Sequence, residues 1–127
     1  MKSFTDTLAE SLKDRRLFIK VGLTNGRLGI DSLSAYAMAT DIDAVLGGAV
    51  FAFCSKMRNQ VKLLVWDDGG YWLLNRKVYN GYFIWPEQVD DRESVQACWR
   101  QLRVLLNDQK SLRRAAQRTC KELESGC

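Results

Sequence analysis

Hydrophobic and polar positions alternate most clearly between residues 50 and 86, VFAFCSKMRNQVKLLVWDDGGYWLLNRKVYNGYFIWP. A period of two is typical of β-strands, because successive side chains point to opposite faces of a sheet. Three segments rich in turn-forming residues interrupt the alternation: Lys56 to Gln60, Asp67-Asp68-Gly69-Gly70 and Asn80-Gly81. The pattern therefore predicts four short strands joined in an antiparallel meander.

The lengths of these turns also predict the register of the strands. The expected turns are the three-residue loop Met57-Arg58-Asn59 and the two-residue tips Asp68-Gly69 and Asn80-Gly81. Each turn fixes one pair of residues that face each other across its hairpin: Phe53 with Leu63, Leu64 with Leu73, and Val78 with Phe83.

This register sorts the side chains into two sets. One face is apolar, with Arg76 as its one charge near a rim, and collects Phe51, Phe53, Val61, Leu63, Val65, Trp72, Leu74, Val78, Phe83 and Trp85. The other face is basic with interleaved aromatic rings, and collects Lys56, Lys62, Trp66, Tyr71, Asn75, Lys77, Tyr79 and Tyr82. We expect the apolar face to form the core and the basic face to remain open for a partner.

The rest of the chain predicts one more strand and several helices. Leu17 to Val21 is an apolar run that fits an edge strand of the same sheet. Thr5 or Asp6 would cap the first helix and Asp31 the second, whose stripe of Leu33, Tyr36 and Ala37 would cover the apolar face. Apolar spacing of three and four residues predicts helices over 5–15, 32–40, 92–106 and 108–124.

The predicted fold is therefore α+β. An antiparallel four- to five-stranded meander sheet, built from residues 50–86 plus the N-terminal strand, is covered on one face by helices. The chain of 127 residues fits a single domain, 1–127, with an N-terminal extension over 1–16 and a basic helical tail over 107–127. The basic stripe of that tail would be either a solvated face or a contact to phosphates, and consists of Lys110, Arg113, Arg114, Arg118 and Lys121.

Composition and motifs narrow the chemistry. A net charge of +4 and a pI near 9.0 are compatible with an anionic partner but do not establish one. The chain has four cysteines without a CxxC pair and no histidine, so we predict neither a metal site nor another cofactor. The loop Gly22 to Gly29 matches neither GxGxxG nor a P-loop. Without a membrane-length apolar run or a signal-peptide pattern, the expected location is the cytoplasm.

Two blocks of residues resemble a known family. The first runs from Gly22 through Thr24, Arg27 and Gly29 to Ile30-Asp31-Ser32-Leu33. The second consists of Gly48 to Phe53, Lys62 to Asp67, Gly70, Leu73-Leu74, Arg76-Lys77, Gly81, Phe83 and Trp85-Pro86. In order and spacing these blocks are similar to the small TnpB-type accessory proteins of insertion-sequence-66-type transposons, which are distinct from RNA-guided nucleases of the same name. The resemblance covers about residues 17–106.

The resemblance implies an accessory role in DNA transposition beside a separate, larger transposase. From the residues themselves we expect no catalytic activity. The sequence departs from the family pattern at Asn25, where the family has an acid, at Gly26 and Leu28, and in the inverted order of Arg76-Lys77. The residues before 17 and after about 107 lie outside the resemblance.

A binding module is the first functional hypothesis. Cationic side chains would neutralise DNA phosphates and an aromatic ring would stack on exposed bases. The direct partner would be transposon-end DNA, the transposase of the same element, or both, and no membrane is involved. The candidate nucleic-acid-binding residues are Arg27, Lys56, Arg58, Lys62, Trp66, Arg76 and Lys77.

Two alternatives belong to other classes. A metal-dependent nuclease would need acids such as Asp31, Asp67, Asp68 and Glu87 to converge, although Asp31 is also explained as a cap and Asp67-Asp68 as turn formers. A structural subunit would form a homo-oligomer through an edge strand of the sheet.

Overall fold

The computed structural model describes residues 3–107, and the predicted helix over 108–124 lies outside this range. The described chain contains three helices and five strands. In chain order they are α1 (Phe4–Leu12), β1 (Leu17–Lys20), α2 (Ile30–Leu46), β2 (Val50–Cys54), β3 (Gln60–Asp67), β4 (Gly70–Lys77), β5 (Ser94–Ala97) and α3 (Trp99–Asn107). The predicted α+β class is confirmed.

The strands form one mixed sheet in the order β4-β3-β2-β1-β5. β1 and β2 are parallel, whereas the other neighbouring pairs are antiparallel. The hairpin of β3 and β4 has the predicted register, with Leu64 opposite Leu73. Its tip residues Asp68 and Gly69 both have positive φ, at 46° and 86°, as the tightest two-residue hairpin turns require.

The predicted register of β2 is wrong by one residue. Ala52 rather than Phe53 lies opposite Leu63, because Ser55 already pairs with Gln60 through a backbone N–H···O bond of 2.9 Å. The connection is therefore one residue longer than the three-residue loop that the sequence suggested. A slip of one residue transfers every side chain of a strand to the opposite face. Phe51 and Phe53 consequently leave the predicted face, and Val50, Ala52 and Cys54 occupy it.

The predicted fourth strand of the meander does not form. After β4 the chain leaves the sheet and crosses the β2–β3 turn, where Val78 donates its backbone N–H to Asn59 and Phe83 donates to Arg58. The hairpin at Asn80-Gly81 is thus replaced by pairing with that turn. Val78, Phe83 and Trp85 are nevertheless buried in the core, as the apolar pattern indicated.

The other end of the sheet also differs from the prediction. β1 was expected at an edge but lies between β2 and β5. β5 occupies residues that were assigned to a helix over 92–106, and the helix begins only at Trp99. Val95 is a strand residue paired with Ile19 and is 3% exposed. A buried valine at this position is compatible with both the helical period of about 3.6 residues and the strand period of two.

The helix starts are shifted as well. Ser3, not Thr5 or Asp6, caps α1, because its Oγ accepts the N–H of Asp6 at 3.1 Å. α2 begins at Ile30 with Gly29 as its N-cap, so Asp31 lies inside the first turn, where its negative charge interacts favourably with the helix dipole. α2 continues to Leu46 through a kink at Asp41, whose carboxylate accepts the N–H of Ala44.

Helices cover both faces of the sheet, in contrast to the predicted single layer. α1 and α3 pack on the face of Val61, Leu63 and Val65, together with the segment that carries Phe83 and Trp85. α2 packs on the opposite face through its predicted stripe, against Phe51, Phe53 and Leu64. The basic, aromatic face expected to stay open therefore carries α2. None of the helices in residues 3–107 is long and apolar enough to cross a membrane.

Candidate nucleic-acid interface

The loop of residues 22–29 is tied to the turn between β2 and β3. Thr24 donates its backbone N–H to Cys54 at 2.8 Å and accepts that of Lys56 at 2.9 Å. Thr24 and Ser55 thereby form an isolated parallel bridge. At Gly26 a Cβ atom would lie 3.0 Å from the Cβ of Ser55, so this close approach favours glycine. The two segments form one continuous backbone surface.

Lys62, on β3, holds the 22–29 loop against the sheet through two hydrogen bonds. Its Nζ donates to the carbonyl oxygens of Gly26 and Leu28, each at 2.7 Å. Within the loop, the side chain of Asn25 accepts the backbone N–H of Arg27 at 2.9 Å, which closes a tight local turn. The cation of Lys62 is thus used inside the fold, and the exposed cation of the loop is Arg27.

Six of the seven predicted site residues lie at one end of the sheet. At this end β2 finishes, β3 begins and β4 finishes, since Gln60 is opposite Lys77 and Val61 is opposite Arg76. Arg27 reaches the same end through the bridged loop. We call this surface the basic end, and its residues are Arg27, Lys56, Arg58, Lys62, Arg76 and Lys77.

The cations of the basic end differ in their exposure to solvent and in the partners they already have within the fold. Arg27, Lys56 and Lys77 are exposed. The guanidinium of Arg58 is 4.0 Å from the carboxylate of Glu87, and its side chain is 33% exposed. Arg76 is exposed as well, but it donates to Thr5 Oγ1 on α1 and therefore lies on the α1 side of the sheet. A partner approaching this end therefore meets mainly the first three side chains.

Trp66, the seventh predicted residue, lies at the far end of β3. It is paired with Tyr71 beside the Asp67-Asp68 turn, and the two rings meet edge to face at 5.0 Å. Its indole also packs on the α2 side of the sheet. The structure does not bring Trp66 together with the cations.

Two exposed side chains at the basic end were not among the predicted site residues. Tyr79 is 83% exposed, and its ring centroid is 5.3 Å from the ammonium of Lys77. Met57, in the β2–β3 turn, is 79% exposed. The sequence offered a signal for Tyr79, because it is an aromatic residue between a lysine and the Asn80-Gly81 turn, but its assignment to a strand obscured this position.

An acidic segment borders the basic end on the β1 side. Gly22 donates its N–H to Pro86 at 2.8 Å and Val21 donates to Glu93 at 2.9 Å, so residues 86–93 run beside the start of the 22–29 loop. Arg92 binds the carboxylate of Asp90 at 3.0 Å and lowers its pKa. The acids of residues 86–93, Glu87, Asp90, Asp91 and Glu93, thus lie beside the loop that leads into the basic end.

The geometry offers no support for the metal-dependent alternative within residues 3–107. No group of three or more Cys, Asp or Glu side chains in this range comes close enough to hold a metal ion. Asp67 and Asp68 form the hairpin tip at the end of the sheet opposite to Glu87, which pairs with Arg58. Burial raises the pKa of the Cys54 thiol to about 12, so it stays protonated and weakly nucleophilic at neutral pH.

Comparison with known proteins gives a family. A family model described as "IS66 Orf2 like protein" matches residues 15–115. The match includes the 22–29 loop, the whole sheet and every residue of the basic end. Neither the curated proteins nor the solved structures gave a match.

Proposed function

Since the chain belongs to the IS66 Orf2-like family of transposition-associated accessory proteins, we propose that it is a non-catalytic accessory protein that binds transposon DNA through its basic end. The observation that carries this proposal is the joining of two loops that are distant in sequence. Thr24 bridges Ser55, and this contact joins the loop that carries Arg27 to the turn that carries Lys56 and Arg58. Cationic side chains grouped on one surface can each neutralise a DNA phosphate.

The arrangement suits contact with a phosphate backbone better than reading of base sequence. Side chains that read bases must project into a groove, usually from a helix or a two-stranded ribbon. At the basic end the cations stand on turns and strand ends instead. Tyr79 adds an exposed ring that could stack on an unpaired base. We therefore expect binding with weak sequence preference and strong dependence on salt.

The test is fluorescence anisotropy with a labelled transposon-end duplex, titrated at several salt concentrations. The slope of log K against log salt is negative, and the double variant Arg27→Ala/Lys56→Ala should reduce its magnitude by about two. Each lost phosphate contact reduces the magnitude by about one. The matched control is Lys13→Ala/Arg100→Ala, which removes the same charge from exposed positions after α1 and on α3, outside the basic end. Equal loss of affinity in both variants would contradict a localised site.

A second candidate is direct contact with the transposase. The observation in its favour is the adjacent acidic segment, residues 86–93, which makes this end of the molecule bipolar and less suited to a uniform polyanion. Opposed charges on neighbouring patches are common where two proteins must dock in one orientation. If the wild-type chain binds no DNA in the titration but co-purifies with the transposase, and Arg27→Ala/Lys56→Ala abolishes co-purification, this candidate replaces the first.

A further inference from the structure

The outer edge of β4 has no partner strand within residues 3–107. β4 is the terminal strand of the sheet and is eight residues long, twice the length of β5 at the other edge. Natural sheets usually blunt such edges with proline, bulges or inward charges, because unpaired backbone groups invite pairing with another chain. β4 contains no proline, and it pairs with β3 without interruption from Gly70 to Lys77.

The direction of the unpaired groups follows from the hairpin geometry. In a two-residue hairpin the pair next to the turn, Asp67 and Gly70, exchanges hydrogen bonds, and bonded and non-bonded pairs then alternate. The even-numbered residues of β4 therefore bond to β3. The N–H of Val78, which donates to Asn59 at 2.9 Å, continues this alternation. The backbone groups of Tyr71, Leu73, Asn75 and Lys77 point outward.

The order of residues in β4 is self-complementary. The strand reads aromatic, aromatic, leucine, leucine, polar, cation, cation from Tyr71 to Lys77. If a second copy pairs antiparallel with Leu74 opposite Leu74, Trp72 lies opposite Arg76 and Leu73 lies opposite Asn75. Every residue whose backbone groups point outward then lies opposite another such residue, so the two strands can exchange hydrogen bonds. The indole of Trp72 also lies opposite the guanidinium of Arg76, which is a favourable cation–π pair.

Charge also favours the antiparallel arrangement. The acidic tip Asp67-Asp68 lies at one end of β4, and Arg76-Lys77 lies at the other. Antiparallel pairing brings each acidic end toward the basic end of the second copy, whereas parallel pairing would bring like charges together.

An exposed indole and an apolar cavity lie on the same face of the sheet, next to the edge of β4. Trp72 is 62% exposed on the face of the sheet that carries α1. On the same face, beside Arg76, an apolar cavity of about 220 Å³ opens between β4 and α1, lined in part by Phe4, Leu8 and Leu74. In the register centred on Leu74, the second copy's Trp72 comes opposite Arg76, at the border of this cavity.

From these observations we infer that the protein forms a two-fold symmetric dimer in which β4 pairs antiparallel with β4 of a second copy, centred on Leu74. This inference does not depend on DNA binding. The sheet becomes continuous across the two copies, and the outward groups of Tyr71, Leu73, Asn75 and Lys77 gain partners.

Disulfide mapping tests the register. Residues on the two-fold axis of a non-bonded pair have Cα atoms about 4.5 Å apart, within the range of a disulfide, whereas Asn75 and its copy would be about 8 Å apart. Leu74→Cys should therefore give a reducible covalent dimer on mild oxidation, above the background of the wild-type cysteines, and the control Asn75→Cys should not. Stronger cross-linking of Leu73→Cys or Asn75→Cys would overturn the proposed pairing.

Light scattering tests the interface without relying on a cysteine. The wild-type chain should show a mass of twice 14.5 kDa, falling to the monomer mass on dilution. Asn75→Pro removes an outward N–H and should weaken the dimer by roughly tenfold or more, because the lost hydrogen bond occurs twice by symmetry. Asn75→Ala keeps the N–H and should remain dimeric. A monomeric wild-type chain at all concentrations, or equal dimerisation of the proline and alanine variants, would overturn the proposal.

Discussion

At the scale of single residues, Lys62 connects the two parts of the basic end. Its side chain begins on β3, on the face that carries α2, and ends between the carbonyl oxygens of Gly26 and Leu28. A charged donor with two well-placed acceptors contributes more than a neutral hydrogen bond. Lys62 therefore holds the loop that carries Arg27 against the sheet.

Replacement of Lys62 should loosen this loop. We expect Lys62→Met, which keeps the aliphatic stem, to lower the free energy of unfolding by about 2 kcal/mol, since hydrogen bonds from a charged group are lost. Urea denaturation measures this change, and trypsin cleavage after Arg27 should accelerate. Lys56→Met serves as the control, because Lys56 is exposed and its removal should change neither quantity. Equal stability of both variants would show that the Lys62 contacts contribute nothing.

At the scale of elements, turns and glycines decide which strands meet. Gly48, between α2 and β2, has φ of +85°, and its carbonyl accepts the Arg15 guanidinium at 3.0 Å. This contact holds the segment before β1 against the start of β2, where Val50 donates its N–H to Arg16. The parallel β1–β2 pair, and hence the central position of β1, is supported at this point.

Substitution of Gly48 should therefore disturb the pairing of β1 with β2. A Cβ atom would lie 2.5 Å from Nη1 of Arg15, so that side chain must move, and positive φ is unfavourable for alanine. We expect Gly48→Ala to lower the free energy of unfolding by about 1–2 kcal/mol. Gly70→Ala is the control in the same denaturation assay, since nothing lies within 4 Å of its Cβ position and its φ is not positive. It should be neutral or slightly stabilising.

The elements show where sequence patterns suffice and where they do not. The β3–β4 hairpin was predicted with its register, because Asp68-Gly69 permits essentially one tight turn. The β2–β3 connection was not, since a polar loop closes equally well with three or four residues. Val95 shows a similar ambiguity: one buried valine fits a helical stripe and a strand, and pairing with β1 decides between them.

At the scale of the whole molecule, the dimer and the basic end combine into one arrangement. The two-fold axis through Leu74 runs perpendicular to the sheet, so antiparallel pairing directs the basic ends of the two copies away from each other. Combined with the proposed DNA contact, this arrangement places one duplex at each basic end, so that the dimer would bridge two DNA segments.

This arrangement predicts bridging of two duplexes. The wild-type chain should retain a fluorescent duplex on beads that carry a second, immobilised duplex. Asn75→Pro should bind each duplex in anisotropy yet retain little fluorescence on the beads, whereas Asn75→Ala should retain as much as the wild type. Full retention by Asn75→Pro would show that bridging does not require the β4 pairing.

The sequence by itself determined the α+β class, the β3–β4 hairpin and most of the buried residues. These features depend on local periodicity and on turn residues with few allowed conformations. Tertiary structure decided the sheet order, the face on which β2 buries its phenylalanines, and the pairing of the 22–29 loop with the β2–β3 turn. Those outcomes depend on long-range pairing between segments whose local preferences are compatible with more than one partner, so the lowest free energy of the whole chain selects among them.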